Sequence, residues 1–200
     1  MTHSDSIDRR EALRRTALLL GGALSAPAIA GVLGGCSDWR TDTATWKPRA
    51  FSSAQGEMIA TIVQHIIPAT DTPGARDVGA HRFVDVMMAE YYAAPDRERF
   101  AAGLTDLDAR AKRAHGRTFL RTDDSGQRAL LTALDAETFA PVAPATPNRE
   151  TPWFRTMKEL TLLAYYTSEV GATKELRYES IPGRYHGCIP LAQVGRTWAV

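Results

Sequence analysis

Two cysteines in 200 residues are too few for a disulfide scaffold or a structural zinc site. An excess of one charge is missing as well. The 24 Lys and Arg residues face 23 Asp and Glu, and the net charge of +1 offers no basic surplus for a nucleic acid. The body of the chain holds no run of eighteen apolar residues, which excludes a protein of several membrane spans. Absent too are a G-x-G-x-x-G dinucleotide fingerprint, a phosphate-binding loop, H-E-x-x-H, C-x-x-C and the G-x-S-x-G elbow. After the N-terminal stretch the histidines are His65, His81, His115 and His186. None lies three or four residues from another, so no helix face presents a metal-binding pair. What remains is ordinary globular composition, 44% hydrophobic and 24% charged.

Residues 1–36 read as an address rather than as part of a fold. Arg9 and Arg10 precede an uncharged stretch from Thr16 to Gly35 that is rich in Leu, Ala and Gly. The pattern resembles a twin-arginine export signal. Asp8, Ala12 and Arg14 stand where the usual signal has a small polar residue, phenylalanine and lysine. Glycines 21, 22, 31, 34 and 35 would make a poor permanent membrane helix. Two endings are open. Ala28-Ile29-Ala30 is a small-x-small cleavage site, and Leu33-Gly34-Gly35-Cys36 resembles a lipobox whose cysteine becomes the lipidated first residue. The lipobox is preferred, because Gly34 and Gly35 leave the Cys36 thiol accessible. Residues 37–51, with Trp39 and Trp46, then form a polar tether. The expected location is the periplasm, with a lipid anchor at Cys36. Cys188 becomes an odd cysteine in an oxidising compartment, either in an intermolecular disulfide or as a buried thiol. Without lipidation a Cys36–Cys188 bridge is open.

The body, residues 52–171, reads as five helices in one all-α domain, since nothing in it alternates with period two. Ser52 opens the first helix with Gln55 as its capping-box partner, and Met58, Ile59, Ile62, Val63, Ile66 and Ile67 recur at helical spacing until Pro68. A turn-rich loop follows through Pro73-Gly74. The second helix is expected over 78–93, burying Phe83, Val84, Val86, Met87 and Tyr91. Pro95 and Asp96 start the third, with Phe100, Leu104, Leu107 and Ala111 inward and Gly116 as its stop. Asp123-Asp124-Ser125 caps a fourth, with Ala129, Leu130, Ala133 and Leu134 inward. A proline-rich loop spans 139–152. The fifth helix, 153–170, carries Phe154, Met157, Leu160, Leu162, Leu163, Tyr165 and Tyr166 and ends at Gly171. About 165 residues suffice for one core, burying roughly 70% of the unfolded surface.

Residues 172–200 form a long irregular tail. Six Gly and Pro residues from Gly171 to Gly195 break any helix, yet Tyr178, Ile181, Tyr185, Ile189, Leu191 and Trp198 need cover. Such a tail docks either on its own helices or on another protein. Its Tyr, Trp and Arg residues are the types that anchor interfaces.

Ile66-Ile67-Pro68-Ala69-Thr70-Asp71-Thr72-Pro73-Gly74-Ala75, with Val78-Gly79 and Phe83-Val84-Asp85, resembles the opening block of the gluconate 2-dehydrogenase third-subunit family. Tyr165-Tyr166-Thr167-Ser168-Glu169-Val170-Gly171-Ala172 resembles its second block, continued by Arg177-Tyr178, Pro182-Gly183-Arg184-Tyr185 and Cys188-Ile189-Pro190. The resemblance implies a non-catalytic small subunit that supports folding, export and stability of a large flavoprotein. That partner, of the glucose-methanol-choline type, would bind FAD and oxidise a sugar, sugar acid or glycoside, and a cytochrome c would take the electrons onward. This chain itself would hold no cofactor, metal or catalytic residue. Trp153, Tyr165, Tyr166, Tyr178, Arg184, Tyr185 and Cys188 are the expected partner-contact or partner-shaping residues. For Tyr165 and Tyr166, core packing is the competing reading. Two other classes stay open: a stand-alone periplasmic helical lipoprotein, and an independent oxidoreductase built on Tyr165, Glu169 and a histidine.

Overall fold

The structure, a computed structural model, describes residues 46–140, 151–181, 183–184 and 187–199. The leader with Arg9, Arg10 and Cys36, most of the 37–51 stretch, the centre of the proline-rich loop and Tyr185 lie outside the described residues. Lys47 to Val200 forms one unit. Its order is α1 (Ser53–Ile66), α2 (Ala80–Glu90), α3 (Ala94–His115), a 3-10 turn (Phe119–Arg121), α4 (Asp124–Phe139), α5 (Trp153–Tyr166), a π-helical turn (Gly171–Glu175) and a short α6 (Leu191–Val194). The class is all-α, with five long helices as expected. α5 is the hub, packing on α1, α2, α3 and α4.

α1 begins as its residues dictate. The Gln55 amide donates to Ser52 Oγ at 3.3 Å and the Ser52 amide to Gln55 Oε1 at 3.0 Å. Met58, Ile59, Ile62 and Val63 are buried. Ile67 turns extended ahead of Pro68 and ends the helix. The following loop folds back on α1: the Ala75 amide donates to the Ile67 carbonyl and Ala75 is fully buried. A side chain at Gly74 would lie 2.7 Å from the Ala69 nitrogen, so only glycine fits there.

α2 is shorter and differently turned than expected. Gly79, at φ 78°, sets its start, and the helix stops at Glu90. Ala80, His81, Val84, Asp85 and Met88 face inward, while Phe83, Val86 and Met87 are half-buried and Tyr91 is 72% exposed. The cause is Asp85. Its carboxylate is fully buried and accepts the backbone N–H groups of Arg49 (2.7 Å) and Ala50 (2.9 Å). A buried carboxylate needs such donors, so its position decides which face of α2 turns inward. Arg49 also pairs with Glu90, and Phe51 lies on Phe100 with ring centres 5.4 Å apart. Residues 49–51, expected as tether, therefore pack on the helical body.

α3 keeps its expected stripe, Phe100, Leu104, Leu107 and Ala111, and Gly116 caps it at φ 67°. α4 does not. Gly126, Gln127, Leu131 and Leu134 face inward, Leu130 is half-buried, and Ala129 and Ala133 are exposed. Gln127 sets this register: its Nε2 donates to the Phe119 carbonyl, leaving Oε1 to accept from His65 Nε2 at 2.9 Å. A buried amide with both ends bonded outranks two alanines.

α5 ends as an α-helix at Tyr166, short of Gly171. Ser168 Oγ donates to the Tyr165 carbonyl and accepts the Gly171 amide. The chain then widens into the π-helical turn Gly171–Glu175. In the tail, Arg177 and Trp198 pair through their backbones, and the Arg177 guanidinium lies 4.1 Å from the Trp198 ring centre. Arg196 also bonds the Lys174 carbonyl. The tail is thus closed on itself at its base, while Tyr178, Ile181 and Ile189 stay exposed.

Two outcomes follow. Asp85→Ala strips two charge-assisted bonds and is expected to lose about 3 kcal/mol in urea unfolding. Burial, with the charges of Arg82 and Arg76, lowers His81 from 6.5 to about 4. Its folded value lies below its unfolded one, so its contribution is complete above pH 6.5 and is lost as pH falls toward about 4. Stability is expected to fall by about 3 kcal/mol over that window, and His81→Gln to flatten the profile.

Candidate functional site

The two sequence blocks meet in space. Tyr165 is 1% exposed, and its hydroxyl donates to the Pro73 carbonyl at 2.9 Å. Thr72 Oγ1 lies 3.4 Å from that hydroxyl and donates to Glu175 Oε2 at 3.1 Å. The loop after α1, the end of α5 and the π-helical turn are therefore joined at one end of the bundle. Gly171 is required at this junction, since a Cβ there would sit 2.0 Å from the Tyr165 carbonyl oxygen.

Around this junction the surface is open. Pro68, Ala69, Thr70 and Asp71 are exposed on the loop, and Thr167, Glu169 and Lys174 beyond α5. Leu162 and Leu163, with Tyr166 one helical turn on, form an exposed apolar face on α5. The sequence names Leu162 and Leu163 among the apolar residues of this helix without assigning them a face. The inward face is Thr156, Met157, Leu160, Thr161, Ala164 and Tyr165. Thr161 can be fully buried because its hydroxyl donates to the Met157 carbonyl at 2.7 Å.

The residues singled out from the sequence divide into three groups. Tyr165 is core, so direct partner contact through its ring is excluded in this fold; its role is to position the loop. Tyr166 is 39% exposed and lies edge-on to Tyr165, with ring centres 5.4 Å apart. Trp153 stands at the other end of α5, about 18 Å away by helical rise. It lies edge-on to Phe100 and Phe154, directly over Gly103, where a Cβ would meet its ring at 2.2 Å. Tyr178, Arg184 and Cys188 are exposed on the tail, and the Cys188 thiol is free.

Near Trp153 a groove of about 450 Å3 opens between α2, α3 and α5. Sequence reading missed it. Tyr92, Asp96 and Arg99 lie close together in sequence, and only folding brings Glu159 to them. Burial and the negative charges of Glu159 and Asp96 raise the Tyr92 phenol above its usual range.

The Tyr165 proton is committed to a backbone carbonyl in the core, and of the described histidines His65 is bonded to Gln127 and His81 is buried in α2, so neither of these two joins Tyr165 and Glu169 in a redox centre. Among the described residues no group of three His, Cys, Asp or Glu side chains is placed to hold a metal ion, and no helix is long and apolar enough to cross a membrane.

A helical body with an exposed apolar helix face and an exposed aromatic tail has the makings of a binding subunit. The family model for gluconate 2-dehydrogenase subunit 3 matches residues 53–183, spanning both sequence blocks. The chain belongs to that family, whose members are small subunits of a dehydrogenase complex. Neither the curated proteins nor the solved structures contain a match.

Tyr165→Phe keeps the ring and removes the bond to Pro73. It is expected to lower stability by about 1 kcal/mol and Tm by about 2–4 °C in a thermal melt.

Proposed function

We propose that this chain is the non-catalytic small subunit of a periplasmic FAD-dependent dehydrogenase acting on a sugar, sugar acid or glycoside. It supports folding, export and stability of the flavoprotein, which is of the glucose-methanol-choline type. The observation that carries this reading is the exposed apolar face Leu162, Leu163 and Tyr166, beside the loop that Tyr165 pins, in a chain of this family. An apolar helix face rimmed by polar residues is the kind of surface a partner covers. The exposed Tyr178, Ile181, Arg184 and Ile189 extend the choice of anchors into the tail, and Cys188 offers a thiol to a partner.

The chemistry belongs to the partner. FAD held by the partner would supply hydride acceptance from the substrate carbon, a base of the partner would take the hydroxyl proton, and a cytochrome c would take the electrons onward. This chain contributes no group to those steps. It shapes and accompanies the protein that does. The Arg9-Arg10 leader fits this role, because the twin-arginine route carries folded cargo and one signal can serve two bound chains. Cys36, as a lipidated first residue, would hold the assembly at the membrane surface.

The test is co-expression with the neighbouring genes, affinity capture of this chain and an absorbance spectrum of the eluate. A stoichiometric larger chain with flavin bands near ~450 nm supports the proposal. A colourless chain running alone shifts the weight to a stand-alone helical lipoprotein. The double substitution Leu162→Glu with Leu163→Glu is expected to leave the helical signal intact. It should weaken capture of the flavoprotein at least tenfold, about 1.4 kcal/mol.

A further inference from the structure

The chain enters the helical body at the end where α2 stops and α3 starts. Asp85 holds the backbone of Arg49 and Ala50 there, Arg49 pairs with Glu90, and Phe51 lies on Phe100. Beside this entry the link from α2 to α3 is open to solvent. Tyr91 is the most exposed tyrosine among the described residues, and Ala93, Ala94 and Pro95 are exposed after it. Lys47, Arg49, Arg97 and Arg99 stand here against Glu90, Asp96 and Glu98, so this tip carries no excess of negative charge. An apolar tip of that kind is not repelled by anionic headgroups. The Tyr165 junction lies at the other end of α5, and Thr72 fixes the base of the tail to it through Glu175. α3 alone puts about 30 Å between Ala94 and His115.

Residues 37–46 alone separate Cys36 from Lys47, and ten residues reach at most about 35 Å. A lipid on Cys36 therefore keeps the tip within that distance of the bilayer, at an effective concentration in roughly the millimolar range. A contact of only millimolar strength then suffices to orient the body. Tyrosine suits such a contact, since its ring enters the headgroup region while its hydroxyl stays in water. A large partner does not fit between tip and bilayer, because a chain of about 500 residues is roughly 60 Å across. We propose that this end of the body rests on the lipid surface, with Tyr91 and Pro95 among the headgroups. The contact turns the Tyr165 junction and the apolar face of α5 away from the membrane, toward the partner. This rests on the lipidated Cys36 of the proposed function.

The test uses the full chain, processed in an export-competent host and placed in vesicles of phosphatidylcholine and phosphatidylglycerol. In a Cys188→Ser background a fluorescent dye is attached to Ala93→Cys, Arg117→Cys or Ile181→Cys, one at a time. A lipid with a nitroxide on its headgroup is then included in the vesicles. The dye at residue 93 is expected to lose most of its emission, and the dyes at 117 and 181 to keep theirs. Tyr91→Asp, at an exposed position, is expected to restore the emission at 93, with the helical signal unchanged and the chain still held by its lipid. If the mass of the processed chain shows no lipid, the anchored reading of Cys36 fails and this proposal with it. If the chain is lipidated and the three dyes are quenched alike, or the dye at 117 or 181 is quenched more, this proposal alone falls. It falls too if Tyr91→Asp leaves the quenching at 93 unchanged.

Discussion

A phenol inside an apolar core must give its proton to something. Tyr165 gives it to the carbonyl of Pro73, ninety-two residues away in sequence. That bond ties the loop after α1 to the end of α5. The loop in turn seats Ala75 against α1, and Thr72 reaches Glu175 at the start of the tail. The two glycines that let the chain pass, Gly74 and Gly171, lie on either side of the same junction. The ordering of this end of the bundle depends on one buried hydroxyl.

α5 has two jobs that its composition alone does not separate. One face fills the core against four other helices, and Thr156 and Thr161 lie within that face. The other face leaves Leu162, Leu163 and Tyr166 in solvent. Leucine outside and threonine inside is the reverse of a simple hydrophobic ranking. The inward Thr161 hydroxyl is satisfied by its own helix, and in the proposed function a second surface would cover the outward leucines. The tail repeats the arrangement. Its base is closed by Arg177 and Trp198, and its loop presents Tyr178, Ile181 and Ile189 outward.

Where local chemistry alone decides a feature, it was legible. The Ser52–Gln55 capping box, the stop at Pro68, the start at Pro95 and the left-handed Gly116 involve neighbours in sequence, and all are found. The α3 stripe was legible too, because its inward residues are all apolar. The faces of α2 and α4 were not. Asp85 and Gln127 face inward because their partners, the backbone at 49–50 and the Phe119 carbonyl with His65, arrive there only in the fold. The end of α5 was misplaced for a similar reason: Ser168 closes the helix by bonding back to Tyr165 before the glycine is reached.

The sequence by itself determined the class, the number of long helices and most of their starts, since periodicity and caps act over a few residues. Its two motif blocks also pointed to the family that the chain belongs to. Only the tertiary structure decided which side of each helix faces in, that Tyr165 is buried while Tyr166 is exposed, and that Tyr92, Asp96, Trp153 and Glu159 share a groove. The physical reason is that a buried polar group is placed by its distant partner. That partner's position is not written in the residues beside it.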